Sequence, residues 1–424
     1  MSSAIKFVEE IISTPAILLG LIALAGLILQ GAKPEKIIGG TIKTILGFVL
    51  VTVGAQVVSE SLRGFDELFE LSFGVIGVVP NTDAMAATLM NEFGSAAASI
   101  MILGFAVNVL LARFTPLKYI FLTGHICLYF AILIAACLTK LGLTDGSLVA
   151  VGGILLGVLM VLLPALAQPT MRKITGKNDV ALAHAGTIAY WLAAQAGKLF
   201  AANKKSTEEI NFPKTLNFMR DSSISIALVM FPLYVVVCVW AKSPAEILDG
   251  KNFLLYSLIQ SVTFAAGVYV ILTGVRLVIA EIVPAFKGIS KKLVSHAKPA
   301  IDCPIVFPYA PNAVLIGFIA SFVGCLFGLG VIIFFNGLCA SLPLILPGVV
   351  PQFFCGATAG VFGNATGGIK GCIVGAFLNG VITSILAALS MELFMDLGYS
   401  QVVFGDSDFN ILALLLLKLV EWGN

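Results

Sequence analysis

Long apolar runs alternate with short charged stretches along almost the whole chain. An α-helix needs about 20 apolar residues to cross a bilayer. Runs approaching or exceeding that length occupy 15–31, 37–58, 95–112, 118–139, 147–167, 222–242, 253–283, 312–335 and 371–394. Shorter or broken apolar segments lie at 180–201, 338–350, 353–369 and 409–422. The pattern predicts an all-α, polytopic membrane protein of about 10–11 transmembrane helices with re-entrant segments. The run at 253–283 is longer than a bilayer requires, so its helix must tilt or project. One stretch departs from the pattern. Asp302 stands beside Pro304, Pro308 and Pro311, so this segment cannot be regular helix. An ionisable group beside broken backbone in an apolar chain usually lines a polar pathway.

Positive loops set the orientation. Lys33 and Lys36 follow the first span, Arg113 and Lys118 the third. Arg172, Lys173, Lys177, Lys204, Lys205, Lys214 and Arg220 follow the fifth, and Lys287, Lys291, Lys292 and Lys298 the seventh. The 60–94 loop is acidic on balance. This places the N-terminus outside and the basic loops in the cytoplasm, provided that 180–201 makes no single crossing. Its His184, Thr187, Gln195 and Lys198 suit a re-entrant or interfacial hairpin. Five spans before residue 168 leave the following spans inverted. Pro80-Asn81 and Pro311-Asn312 each follow a long span and a charged loop. The chain therefore reads as one membrane domain, 1–424, with inverted halves 1–167 and 222–424 joined by a connection at 168–221.

Composition agrees with the membrane reading. Hydrophobic residues make up 59% and charged residues 11%, against about 25% charged in a soluble domain. Mean hydropathy is +1.03. A net charge of +2 suggests no nucleic-acid partner. The eight cysteines form no CxxC or CxxH pattern and read as small core residues. Residues 1–13 carry one lysine and two glutamates, so the first apolar run reads as a span rather than a signal peptide. The glycine-rich tract 353–368 lacks a preceding strand and a closing Gly-Lys-Ser/Thr, so it reads as close helix packing or a re-entrant turn. No nucleotide site, metal cluster or catalytic triad is legible, and no cofactor is expected.

Four groups of residues are candidates for solute chemistry. His125 follows Gly124 inside an apolar run, with Tyr129 one turn on. Such a pair supplies donors for a polyhydroxylated ligand; a histidine satisfied by a neighbouring carbonyl is the bland alternative. His184 lies among small residues that suit a packed hairpin beside a cavity, or else is merely interfacial. Asp302 either lines the pathway, caps the helix that follows, or pairs with Lys298. Thr82 and Asp83 lie at a helix start, where capping also explains them. Arg276 and Glu281 read as a structural pair or as boundary charges, His296 as surface, and Lys43 as a snorkelling lysine.

Several tracts taken together resemble the membrane subunit, enzyme IIC, of the L-ascorbate-type phosphotransferase system (PTS). They are 40–48, Leu122-Thr123-Gly124-His125-Ile126, Gly274-Val275-Arg276 with Ala280-Glu281, 285–290, Ala300-Ile301-Asp302-Cys303 and Ala310-Pro311-Asn312-Ala313-Val314. They keep their order over nearly the whole chain. The resemblance implies a homodimer in the bacterial inner membrane, each protomer pairing a scaffold with a core that slides as an elevator. It also implies phosphorylation of the imported solute by a cytoplasmic IIB subunit, recharged through IIA, both as separate chains. His125, His184 and Asp302 match the family's substrate site. The chain differs by Tyr129 and Ala185 where ascorbate transporters carry glutamine, by Asp83 for a tyrosine near Thr82, and by Thr52 for a glutamine. The expected substrate site is thus His125, Tyr129, His184, Asp302, Thr82 and Asp83. The expected function is PTS import of L-ascorbate or a related sugar acid or polyol. An ion- or proton-coupled secondary transporter is the alternative.

Overall fold

A computed structural model describes residues 14–73, 77–203, 205–210, 222–241, 247–292, 294–338, 342–396 and 402–423. Almost all of it is helix. Among the described residues, six helical segments are long and apolar enough to cross a membrane: Pro34–Phe65, Glu92–Phe114, Asp145–Thr175, Phe253–Val278, Pro311–Asn336 and Gln352–Met391. Shorter apolar helices lie at Leu19–Gln30, Gly124–Lys140, Ile226–Trp240 and Ser407–Leu416.

The first part of the chain forms α1 (Pro15–Gln30), α2 (Pro34–Phe73) and α3 (Thr82–Phe114). Proline opens both α1 and α2, where its missing N–H is not needed. Asn81, rather than Thr82 or Asp83, caps α3: its side chain accepts from Ala84 N at 2.9 Å. Then come α4 (Gly124–Lys140), α5 (Asp145–Thr175) and α6 (Thr187–Lys198). The second part forms α7 (Ser222–Trp240), α8 (Phe253–Lys292), α9 (Pro311–Asn336), α10 (Ala357–Asp396) and α11 (Ser407–Gly423). Long helices pair within and between these parts: α2 on α8, α3 on α5, α9 on α10 and α10 on α6.

Glycines let α2 and α8 touch backbone to backbone. A Cβ at Gly47 would stand 2.9 Å from Val278 N, and one at Gly274 would stand 2.7 Å from Val51 N. Neither neighbour is a flexible side-chain end, so the helices themselves would have to separate. Gly274→Val is expected to destabilise the protein by about 1–3 kcal/mol. Thermal unfolding in detergent checks this, with Gly39→Ala as the control because a methyl there meets nothing within 4 Å.

The apolar run at 118–139 is not one helix. Its first residues form a strand, β1 (Tyr119–Phe121), and α4 begins only at Gly124. β1 and β2 (Ala181–Leu182) flank β3 (Lys298–Ile301), all parallel, in the order β1-β3-β2. Tyr119 pairs with Lys298, and Leu182 with Ile301. Extended backbone inside an apolar region is tolerated only where protein satisfies its edges, and two buried amides do so. Asn108 donates to Tyr119 O at 3.0 Å and accepts from Phe121 N at 3.1 Å. Gln168 donates to Val180 O at 3.1 Å, beside the start of β2.

A second extended crossing has the same form. Val78 bridges Ile345 in parallel. Val78 N donates to Leu344 O at 2.9 Å, Leu346 N to Val78 O at 3.0 Å, and Asn81 N to Val403 O at 3.0 Å. The 78–81 segment therefore lies between 344–346 and 403 much as β3 lies between β1 and β2. Each central segment precedes a long helix, α3 in one case and α9 in the other.

The glycine-rich tract lies in tightly packed helix. A π-helical turn at Gln352–Gly356 leads into α10. The runs read as separate at 353–369 and 371–394 are two helical stretches that break at Gly368, whose φ of 62° and ψ of −150° lie outside the helical region. A glycine is required there, both for the positive φ and because Lys205 O crowds the place a Cβ would take. Ile369 N donates to that same oxygen at 2.8 Å, which satisfies a backbone group freed by the bend.

Candidate functional site

The three-stranded sheet explains why three polar residues far apart in sequence meet. Each strand ends and delivers one of them: His125 just beyond β1, His184 just beyond β2, and Asp302 directly after β3. Because the strands are parallel, all three emerge at the same edge. His125 Nε2 lies 3.4 Å from Asp302 Oδ2, and His184 Nε2 lies 3.7 Å from Asp302 Oδ1. His125 is partly open, with 36% of its side chain exposed, whereas His184 shows 7%.

Asp302 is a cap, a role compatible with lining a pathway. Its Oδ1 accepts from Cys303 N at 2.7 Å and opens a 3-10 helix at Cys303–Tyr309. Pro304 and Pro308 are accommodated by that 3-10 turn, and Pro311 opens α9. The alternative partner, Lys298, is engaged elsewhere. Its ammonium donates to Asn178 Oδ1 at 2.9 Å and sits 5.2 Å from the centre of the Tyr119 ring.

His184 is held in one orientation. Gly186 N donates to its Nδ1 at 3.1 Å, and the Tyr190 hydroxyl lies 2.8 Å from the same nitrogen. With Nδ1 engaged on that side, Nε2 faces the carboxylates. Its loop is anchored by Asp408, which accepts from Thr187 N at 2.8 Å and Ile188 N at 3.2 Å at the start of α6. Asp408 N in turn donates to Ala185 O at 2.7 Å.

Sequence reasoning missed two members of the cluster, Asp406 and Cys355. His184 Nε2 lies 3.8 Å from Asp406 Oδ1, which also accepts from Cys355 Sγ at 2.9 Å. Asp406 Oδ2 accepts from Thr82 Oγ1 at 2.5 Å, and Thr82 Oγ1 accepts from Gly405 N at 3.0 Å. Thr82 thus joins the cluster through Asp406. The acidic pair Asp406 and Asp408 ahead of an apolar run is the only sequence signal that could have drawn attention here. The described cysteines are free and buried, but Cys355 is more than filler.

Tyr129 packs edge-on against His125, with ring centroids 5.9 Å apart, beside Phe409. Asp83 lies in α3, and its side chain falls outside the described residues. Glu281 pairs with Lys43 at 3.7 Å rather than with Arg276.

Taken together, a polytopic helical protein encloses a polar cluster at the ends of broken, glycine-rich and extended segments. That is the architecture of a membrane permease that handles a small polar solute. Comparison with known proteins narrows this to a family. The family described as "PTS system sugar-specific permease component" (EIIC-GAT) matches residues 10–408. The chain belongs to that family and is a multi-pass protein of the bacterial cell (inner) membrane. It is similar to the "Ascorbate-specific PTS system EIIC component" of Mycoplasma pneumoniae, with 27% identity over 410 residues covering 85% of this chain. The chain spans 62% of that relative's length.

Proposed function

We propose that the protein is the translocating subunit of a phosphoenolpyruvate-dependent phosphotransferase system. Its substrate is L-ascorbate or a related sugar acid or polyol, held by His125, His184 and Asp302. Separate cytoplasmic IIB and IIA subunits phosphorylate the solute as it enters. The observation that carries this reading is the convergence of those three residues at one edge of the β1-β3-β2 sheet, in a chain of the sugar-permease family. One carboxylate and two imidazoles give hydroxyl groups both acceptors and donors.

Movement follows from the same layout. The matching crossings at 78–81 and β3 support two inverted halves, 1–167 and 222–424, around a central site. The glycine-lined α2–α8 pair suits a scaffold, against which a core carrying the sheet and α10 slides as an elevator. A homodimer would hold that scaffold fixed in the lipid.

The test uses sealed vesicles containing the protein, with IIA, IIB and the general phosphocarriers supplied with phosphoenolpyruvate. Phosphorylated solute is expected to accumulate inside only when all components are present. Uptake of unmodified solute driven by a proton or sodium gradient would instead establish a secondary transporter, the reading that a second carboxylate beside His184 favours.

A further inference from the structure

The opposite end of the three-stranded sheet carries a second polar group, and it is cationic. Each strand starts at a basic stretch. Lys118 precedes β1, Arg172, Lys173 and Lys177 precede β2, and Lys298 opens β3. Two of these cations meet at one atom. Asn178 Oδ1 accepts from Arg172 Nε at 2.9 Å, from Lys298 Nζ at 2.9 Å and from Gln168 Nε2 at 3.1 Å. Arg172 comes from the last turn of α5, Asn178 from the turn before β2, and Lys298 from β3. Three donors thus share one neutral oxygen that has only two lone pairs.

No carboxylate balances them. Among the described residues, neither Arg172 nor Lys298 forms an ion pair with an aspartate or glutamate. Asp179, next in sequence to the bridging asparagine, acts on the Tyr309 hydroxyl instead. Burial, and then the Arg172 charge beside it, lower the Lys298 pKa from its ordinary value. The ring of Tyr119 lies 5.2 Å from the Lys298 ammonium and flanks it on one side. A solvated lysine can swing away from a like charge. These two cations are instead tied to one oxygen, so an anion would relieve their repulsion.

The donors left over suit one class of anion. Arg172 spends Nε on Asn178, which leaves both terminal nitrogens as a planar fork matched to phosphate oxygens. Lys298 spends one of its three ammonium N–H groups. We propose that Arg172 and Lys298, bridged by Asn178, form a binding site for a phosphate group, carried by a soluble phosphate monoester or by an anionic lipid headgroup. β3 spans four residues, so this site lies one strand length, roughly 13 Å, from Asp302. It stands whichever solute the permease takes.

The experiment measures binding of inorganic phosphate to the purified full chain in neutral detergent at fixed ionic strength. Arg172→Gln and Lys298→Gln are each expected to weaken it by about ten-fold. Lys177→Gln, in the same basic stretch, is expected to leave it unchanged. Asn178→Asp places the missing carboxylate at the bridge. It is expected to abolish phosphate binding without lowering the unfolding temperature, so it decides the matter even if a glutamine variant fails to fold. Nanodiscs of phosphatidylcholine with phosphatidylglycerol identify the source. Phosphatidylglycerol retained by wild-type protein and lost from Asn178→Asp assigns a lipid headgroup; binding of inorganic phosphate alone assigns a soluble monoester. Binding of neither probe, an equal loss in Lys177→Gln, or undiminished binding by Asn178→Asp each overturns the proposal.

Discussion

Asp302→Asn is expected to lower substrate affinity by about a hundred-fold or more, while the protein still folds. The asparagine carbonyl can still accept from Cys303 N, so the cap on the 3-10 turn survives. The other side of the group changes character. Asp302 Oδ2 faces His125 Nε2 at 3.4 Å, and Oδ1 faces His184 Nε2 at 3.7 Å. An amide offers one acceptor instead of two, and its NH2 group meets one of the histidines with a donor. A ligand hydroxyl then loses a charge-assisted hydrogen bond at the centre of the site. Isothermal titration against the preferred solute measures the loss, and thermal unfolding confirms that the fold is kept. His125→Ala is expected to weaken binding in the same assay, because it removes the partly exposed donor at the mouth. Undiminished affinity in both variants would remove the sheet edge from the substrate site.

The class was legible in the sequence, and so were three residues that the fold brings together, for a physical reason. A charge or histidine in an apolar run is costly, so His125, His184 and Asp302 stood out against their surroundings. What joined them was hidden. Two- to four-residue strands give no periodic signal, and β1 is as apolar as the helix it was merged with. The amides that satisfy the strand edges, Asn108 and Gln168, look like ordinary polar residues within spans. Asp406 was obscured because it lies beside Asp408 ahead of a short apolar run, where acidic residues usually begin a helix. Only the fold separates the pair: Asp408 turns to the start of α6, and Asp406 turns to His184. The proposed inverted halves rest, in the sequence, on the repeated Pro-Asn alone. The backbone pairing at Val78 and β3 that supports the proposal leaves no mark in side-chain pattern.

Asp408→Ala is expected to destabilise the protein by about 2–4 kcal/mol and to weaken binding as well. Asp408 is buried, and its carboxylate is the acceptor for the first amides of α6, Thr187 N and Ile188 N. Those amides have no partner within α6, as at any helix N-terminus. Alanine would leave the buried donors unsatisfied. The consequence reaches the site because the loop just before α6 carries His184, and its Ala185 carbonyl accepts from Asp408 N. Loosening this junction frees the ring that must hold its Nε2 toward Asp302 and Asp406. Asp408→Asn keeps one acceptor in place and is expected to recover part of both losses. Thermal unfolding gives the stability term, and solute titration at a temperature where both variants are folded gives the binding term. A variant that loses stability but binds normally would show that Asp408 anchors α6 without positioning His184.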